Sequence, residues 1–267
     1  GADNLSVGAY SLQANITGSS NTAIGRSALS SNTTANNNTA VGRNALVNNT
    51  TGIQNIAVGG NALDANTTGD QNTAVGYNAL TTTTTADGNT AVGHSVLSNS
   101  TGFHNTGIGS QALISNTNGG QNTAVGVGAL YQNQSGGFNT ALGVNTLREN
   151  TASNNTGLGW NAVRYNTTGT SNTGVGHEAL LTNTTANNNT AVGYQAARNN
   201  STGGSNTALG YGALNLNTTA SNNTAIGSSA LLSNTTGISN TAVGASTLQA
   251  LTTGTLNTGV GQGALAA

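Results

Sequence analysis

Small aliphatic residues recur along this chain at fixed places between runs of Asn, Thr and Gly. The stretch "NTAVGYNAL" at Asn72–Leu80 is followed one repeat later by "NTAVGHSVL". The leading Asn falls at residues 4, 21, 38, 55, 72, 89, 105, 122, 139, 155, 172, 189, 206, 223, 240 and 257. Thirteen of the fifteen spacings are 17 residues and two are 16, so one unit covers the whole chain. Fixed periods of this kind mark repeat architectures.

Numbered from that Asn, position one is Asn in every unit, and position two is Thr except at Leu5 and Ile56. Position four is always Val, Ile or Leu, position five always Gly, and position nine Leu except at Val163 and Ala197. Position eight is mostly Ala, and position twelve usually Asn before a Thr-rich turn. Helix-pair repeats run about 33–47 residues, and Thr, Asn and Gly are weak helix formers. The unit therefore predicts one coil of an all-β parallel β-solenoid (a β-roll), about sixteen coils in a single repeat domain over residues 1–267.

Within a coil, "T-A-V" has the period of a strand. The expectation is Val inward and Ala outward or toward a neighbour. Gly at position five permits a corner. "N-A-L" reads as a second short strand with Leu inward, and "N-T-T-G" as a turn. Asn72, Val75, Gly76 and Leu80 are thus structural repeat positions: ladder rung, core, corner and core. In-register stacking puts like over like at about 4.7–4.9 Å, which predicts columns of Asn amides and a rod of roughly 75 Å. In the two 16-residue units the missing residue is placed beside positions ten and eleven.

Two large aliphatics per coil, at roughly 1.5–3 kcal/mol each, do not offset roughly 1–2 kcal/mol of backbone entropy per residue. Ladder hydrogen bonds and Asn columns must add to them. The small Ala at positions three and eight suggests faces where other copies pack, most simply in a parallel homotrimer.

Composition narrows function. Charged residues are 4% of the chain and the net charge is −1, so no electrostatic footprint for nucleic acid or an anionic membrane exists. No apolar run has transmembrane length, so membrane insertion is not expected. Cysteine is absent, and redox compartment cannot be read from disulfides.

"NTAIGRSAL", "NTAVGYNAL" and "NTALGYGAL" resemble the repeats of YadA-type trimeric autotransporter adhesin heads, through the core "A-V/I-G" at Ala23-Ile24-Gly25 and its counterparts. The longer unit with "SNTTG" resembles repeats in bacterial and phage tail-fibre-like proteins. The resemblance covers the whole chain. It implies an elongated, trimeric, extracellular fibre segment on a cell surface or virion tail fibre. Adhesin-head coils are shorter than 17 residues, so the cross-section here must differ.

Candidate chemistry is sparse. Asp3, Asp64, Asp70, Asp87, Glu149 and Glu178 lie in different units, at spacings that suggest no acid–base pair. His94, His104 and His177 are isolated, and the first and last are five units apart. Calcium-binding solenoids need an Asp in each unit, and "NTAVG" has no Lys to make a phosphate loop. No enzyme activity, metal or cofactor is expected. Position six varies most, with Tyr77, Trp160, Tyr194 and Tyr211 beside Arg26, Arg43, His94 and His177. These four aromatics are the candidate binding residues of an exposed edge, suited to a host-surface glycan or protein. The plainer reading is a corner that tolerates any side chain.

Three functions are compatible with this pattern. The first is a stiff adhesin or tail-fibre-like rod that presents or spaces binding surfaces. The second is a subunit that stacks end to end into an extracellular filament. The third is an ice-binding solenoid using Thr ranks, disfavoured because position-two Thr is expected to lean inward or lie at an interface.

Overall fold

The computed structural model describes residues 1–266. It is all-β: sixteen strands of three residues, from Leu5–Val7 to Thr258–Val260, with no helix among the described residues. Strands pair in parallel with their counterparts one repeat away, as Thr73 with Thr90, Ala74 with Ala91 and Val75 with Val92. The chain is a parallel β-solenoid of about fifteen turns with a repeat of about 17 residues. Two compact units divide it, Gly1–Gly137 and the segment from Phe138 onward, each with eight strands built alike.

The face of the strand is opposite to the expectation. Ala74 is buried and Val75 points outward, and the same inversion runs from Ala23 and Ile24 to Ala242 and Val243. The cause is the Asn at position one. Asn72 lies inside the coil, and strand period two then puts position three inside and positions two and four outside. The interior of a coil is narrow, so it takes Ala at three and eight, one Leu at nine, and Asn at one and twelve. Leu80 is core as expected; Val75 is not. The Ala positions proposed as faces for other copies are filled by the chain's own packing.

The two Asn columns do different work. At position one, Asn72 Oδ1 accepts the backbone N–H of Asn89 in the next coil at 2.9 Å. Its Nδ2 donates across the coil to the Ala86 carbonyl at 2.8 Å. At position twelve, Asn49 Nδ2 donates to Asn32 Oδ1 at 3.1 Å and to the Gly52 carbonyl at 2.9 Å. Buried backbone groups must find partners, and at the corners of so small a coil these side chains supply them.

"N-A-L" is a turn, not a strand. Asn78 and Leu80 have φ of 54° and 53°, in the left-handed region that costs a non-glycine residue roughly 1–2 kcal/mol. The conformation persists because it aims Leu80 into the core and still lets its N–H donate to the Val96 carbonyl of the next coil at 3.1 Å. Burying that Leu returns about 1.5–3 kcal/mol. Gly76, with φ of 140°, is the expected corner. A Cβ there would run into the Gly93 carbonyl oxygen above it.

Side-chain volumes are matched between coils. Position eight is Val96, Thr146 and Thr247 in three units, and in each case position three of the next coil is Gly (Gly107, Gly157 and Gly259). A Cβ at Gly107 would lie 2.5 Å from a Val96 methyl, and one at Gly157 2.5 Å from the Thr146 methyl. The fourth such glycine, Gly174, meets Val163, the β-branched replacement for Leu at position nine.

The 16-residue units keep strand register, as Thr90 on Thr106 shows. Asn49 bonds a carbonyl three residues on, whereas Asn150 bonds the Ala152 carbonyl two residues on, at 2.7 Å. The missing residue is therefore position fourteen, in the outward turn, and not beside positions ten and eleven.

The position-twelve column is broken where Asn is replaced. Thr83 follows Asn66, and Leu251 follows Asn234; Oδ1 of each of these two Asn is buried without a partner. Restoring the donor by Thr83→Asn satisfies the Asn66 oxygen. The expected outcome is a gain of about 1 kcal/mol, read as a higher midpoint in thermal or denaturant unfolding.

Candidate functional site

Position six directly follows the corner Gly, so its side chain leaves the coil outward. Stacking brings successive position-six side chains above one another. In the second unit this builds a column of four rings. Trp160 and His177 have centroids 4.7 Å apart, His177 and Tyr194 5.0 Å, and Tyr194 and Tyr211 5.3 Å. Their planes are within 28°, 15° and 8° of parallel in the same order. Three of the four aromatics expected to form a binding edge are thus in one stack, with His177, expected only as an isolated surface histidine, joining them. Tyr77 stands apart in the first unit, stacked on His94 at 5.8 Å.

Stacking changes what the column offers. Each ring pair contributes about 0.5–1.5 kcal/mol beyond its buried area. The faces of His177 and Tyr194 are occupied by neighbours, so this edge presents ring edges and the Tyr194 and Tyr211 hydroxyls. Such an edge suits hydrogen bonding along a ligand more than a run of separate stacking platforms.

A polar strip flanks the rings. Glu178 Oε2 accepts from Gln195 Nε2 at 2.9 Å and from Arg198 Nε at 2.7 Å. The Arg164 guanidinium sits 5.0 Å over the Tyr165 ring. Arg164 Nε and His177 Nδ1 are shielded from solvent and have no hydrogen-bond partner. Burial pushes the Glu178 carboxyl up, but the hydrogen bonds from Arg198 and Gln195 and the charges of Arg198 and His177 outweigh it and hold the group below its usual value. Asp64 is pushed the other way by burial, opposed only in part by its own and the Ala65 backbone N–H. No three His, Asp or Glu among the described residues group closely enough to hold a metal ion.

The strand inversion exposes a second surface. On the outside of the sheet, in each unit, Thr at position two and the aliphatic at position four form two parallel rows. Ile24 is 36% exposed and Leu209 45%. Among the described residues, the Thr hydroxyls of position two have no hydrogen-bond partner in the chain. Most of those of position thirteen do, as where Thr50 Oγ1 donates to the Thr67 carbonyl at 2.9 Å. This face was legible in one respect: position four is never polar, and the two exceptions to Thr at position two, Leu5 and Ile56, are aliphatic.

No protein-family model matches the chain, and no curated protein matches it.

The Glu178 contact sets an acid dependence. Because its folded-state pKa is depressed, the stabilisation is complete above the ordinary value of 4.5 and is lost as pH falls through the lower folded-state value. Glu178→Gln is expected to cost about 1 kcal/mol or less at neutral pH. It should also flatten the fall in melting temperature below pH 4.5 relative to the parent, as followed by circular dichroism.

Proposed function

We propose that this chain is a non-enzymatic structural fibre segment of the adhesin or tail-fibre-like kind, a stiff element that presents or spaces binding surfaces outside the cell. The observation that carries the reading is where variation falls. Inward positions are almost fixed: Asn at one, Ala or Gly at three, Leu at nine. Within each unit, neighbouring coils are tied by strand bonds, turn bonds and the position-one Asn column, with a second Asn column wherever Asn stands at position twelve. Large and varied side chains are confined to outward rows such as position six. A repeat that fixes its inside and frees one outer edge is suited to bear load along its axis while its edge diversifies.

The Trp160–His177–Tyr194–Tyr211 column with Glu178 and Arg198 is the edge best fitted to touch a partner, such as a host-surface glycan or protein. The ground for a homotrimer shifts: packing through the Ala rows is closed, because those residues are inside.

Electron micrographs of the isolated chain should show short, separate particles of one fixed length. Long filaments of varying length would support the end-to-end assembly instead. Round particles would contradict both.

A further inference from the structure

The outward sheet face is built from positions two and four and the ring column from position six, and the role of the face is independent of the fibre reading. We propose that this face, the paired rows of Thr at position two and aliphatics at position four, binds the surface of ice.

Four observations converge on it. First, the rows are in register, one Thr and one aliphatic per coil, as in Thr190 on Thr207 and Val192 on Leu209. In the second unit the Thr row is unbroken from Thr140 to Thr258, and in the first only Leu5 and Ile56 interrupt it. The repeat distance is that of paired strands, about 4.7–4.9 Å, close to the oxygen repeat along one axis of hexagonal ice. Sheets whose like residues stack in side-chain ladders are the ones that stay untwisted, so the spacing can hold over many coils.

Second, the hydroxyls are free. The position-two Thr hydroxyl makes no hydrogen bond within the described residues, whereas most position-thirteen Thr hydroxyls are committed to the carbonyl of the next coil, as Thr167 to Thr184 at 2.9 Å. A row of unpaired hydroxyls beside a row of methyls does two things to water. The methyls restrict its orientations, and the hydroxyls anchor it at fixed points.

Third, neither position two nor position four carries a charge in any unit. Charged groups would hold their own hydration shells and disrupt a lattice; a neutral lattice meets nothing here to repel it.

Fourth, burying this face under protein would leave the Thr hydroxyls unpaired at a cost, whereas a crystal surface asks only for many weak contacts at the right period.

The test uses the full chain, with circular dichroism to establish that each sample is folded and light scattering to give its mass. The expected result is thermal hysteresis and incorporation of the folded, monomeric protein into slowly growing ice. Both should be lost in a Thr190→Lys/Val192→Lys variant of unchanged fold and kept in Thr168→Lys, a substitution in the exposed turn away from the sheet. Absence of both effects in the folded parent overturns the proposal. So does equal loss in the sheet and turn variants. An oligomer that Thr190→Lys/Val192→Lys dissolves, with no effect on ice, would make the face a protein interface and overturn it as well.

Discussion

Each coil of this solenoid is too thin to satisfy its own corners, and the buried asparagines carry that burden. The position-one Asn takes the backbone N–H of the next coil and gives its amide to the carbonyl of position fifteen, as Asn55 does to Asn72 and Gly69. Everything else depends on having that side chain inside. It sets the parity of the strand, which puts Ala in and Val out. It leaves room for only one large side chain per coil, which is Leu. It forces that Leu into a left-handed backbone conformation so that it can reach the centre. The glycines opposite Val96 and Thr146 show how little slack remains, since a β-branched side chain in one coil is answered by a methyl removed in the next.

The repeat, the solenoid, the Asn columns and the glycine corner were readable from spacing alone, because stacking in register makes like residues recur at one period. Strand parity was not. A three-residue strand such as Thr73–Val75 contains one alternation, and hydrophobicity favours burying Val over Ala. The signal against it was Asn72, whose ladder role requires an inward side chain and thereby fixes the parity two residues on. Turn conformation at "N-A-L" was also beyond reach, since Leu has no propensity for positive φ and adopts it only through packing between coils. Placing the deletion of the short units beside positions ten and eleven failed for a related reason: the geometry that identifies position fourteen is the Asn150-to-Ala152 bond, which spacing does not reveal.

For the candidate edge, the sequence identified Trp160, Tyr194 and Tyr211 by their shared position. It missed that His177 completes the stack, because a histidine five units from His94 reads as isolated until stacking sets its ring between those of Trp160 and Tyr194. It also missed the outward sheet face, which depends on the parity. The resulting molecule has a fixed interior, a variable edge of rings and a regular face of hydroxyls and methyls, with the last two pointing to different contacts.

The inverted strand is the claim on which core, corner and outer face all depend, and the absence of native cysteine allows it to be tested cleanly. Single substitutions Thr73→Cys, Ala74→Cys and Val75→Cys, each in folded protein, can be timed against a small thiol reagent. Rapid labelling at 73 and 75 with protection at 74 until the protein is unfolded is the predicted result. Protection at 75 with rapid labelling at 74 would contradict it.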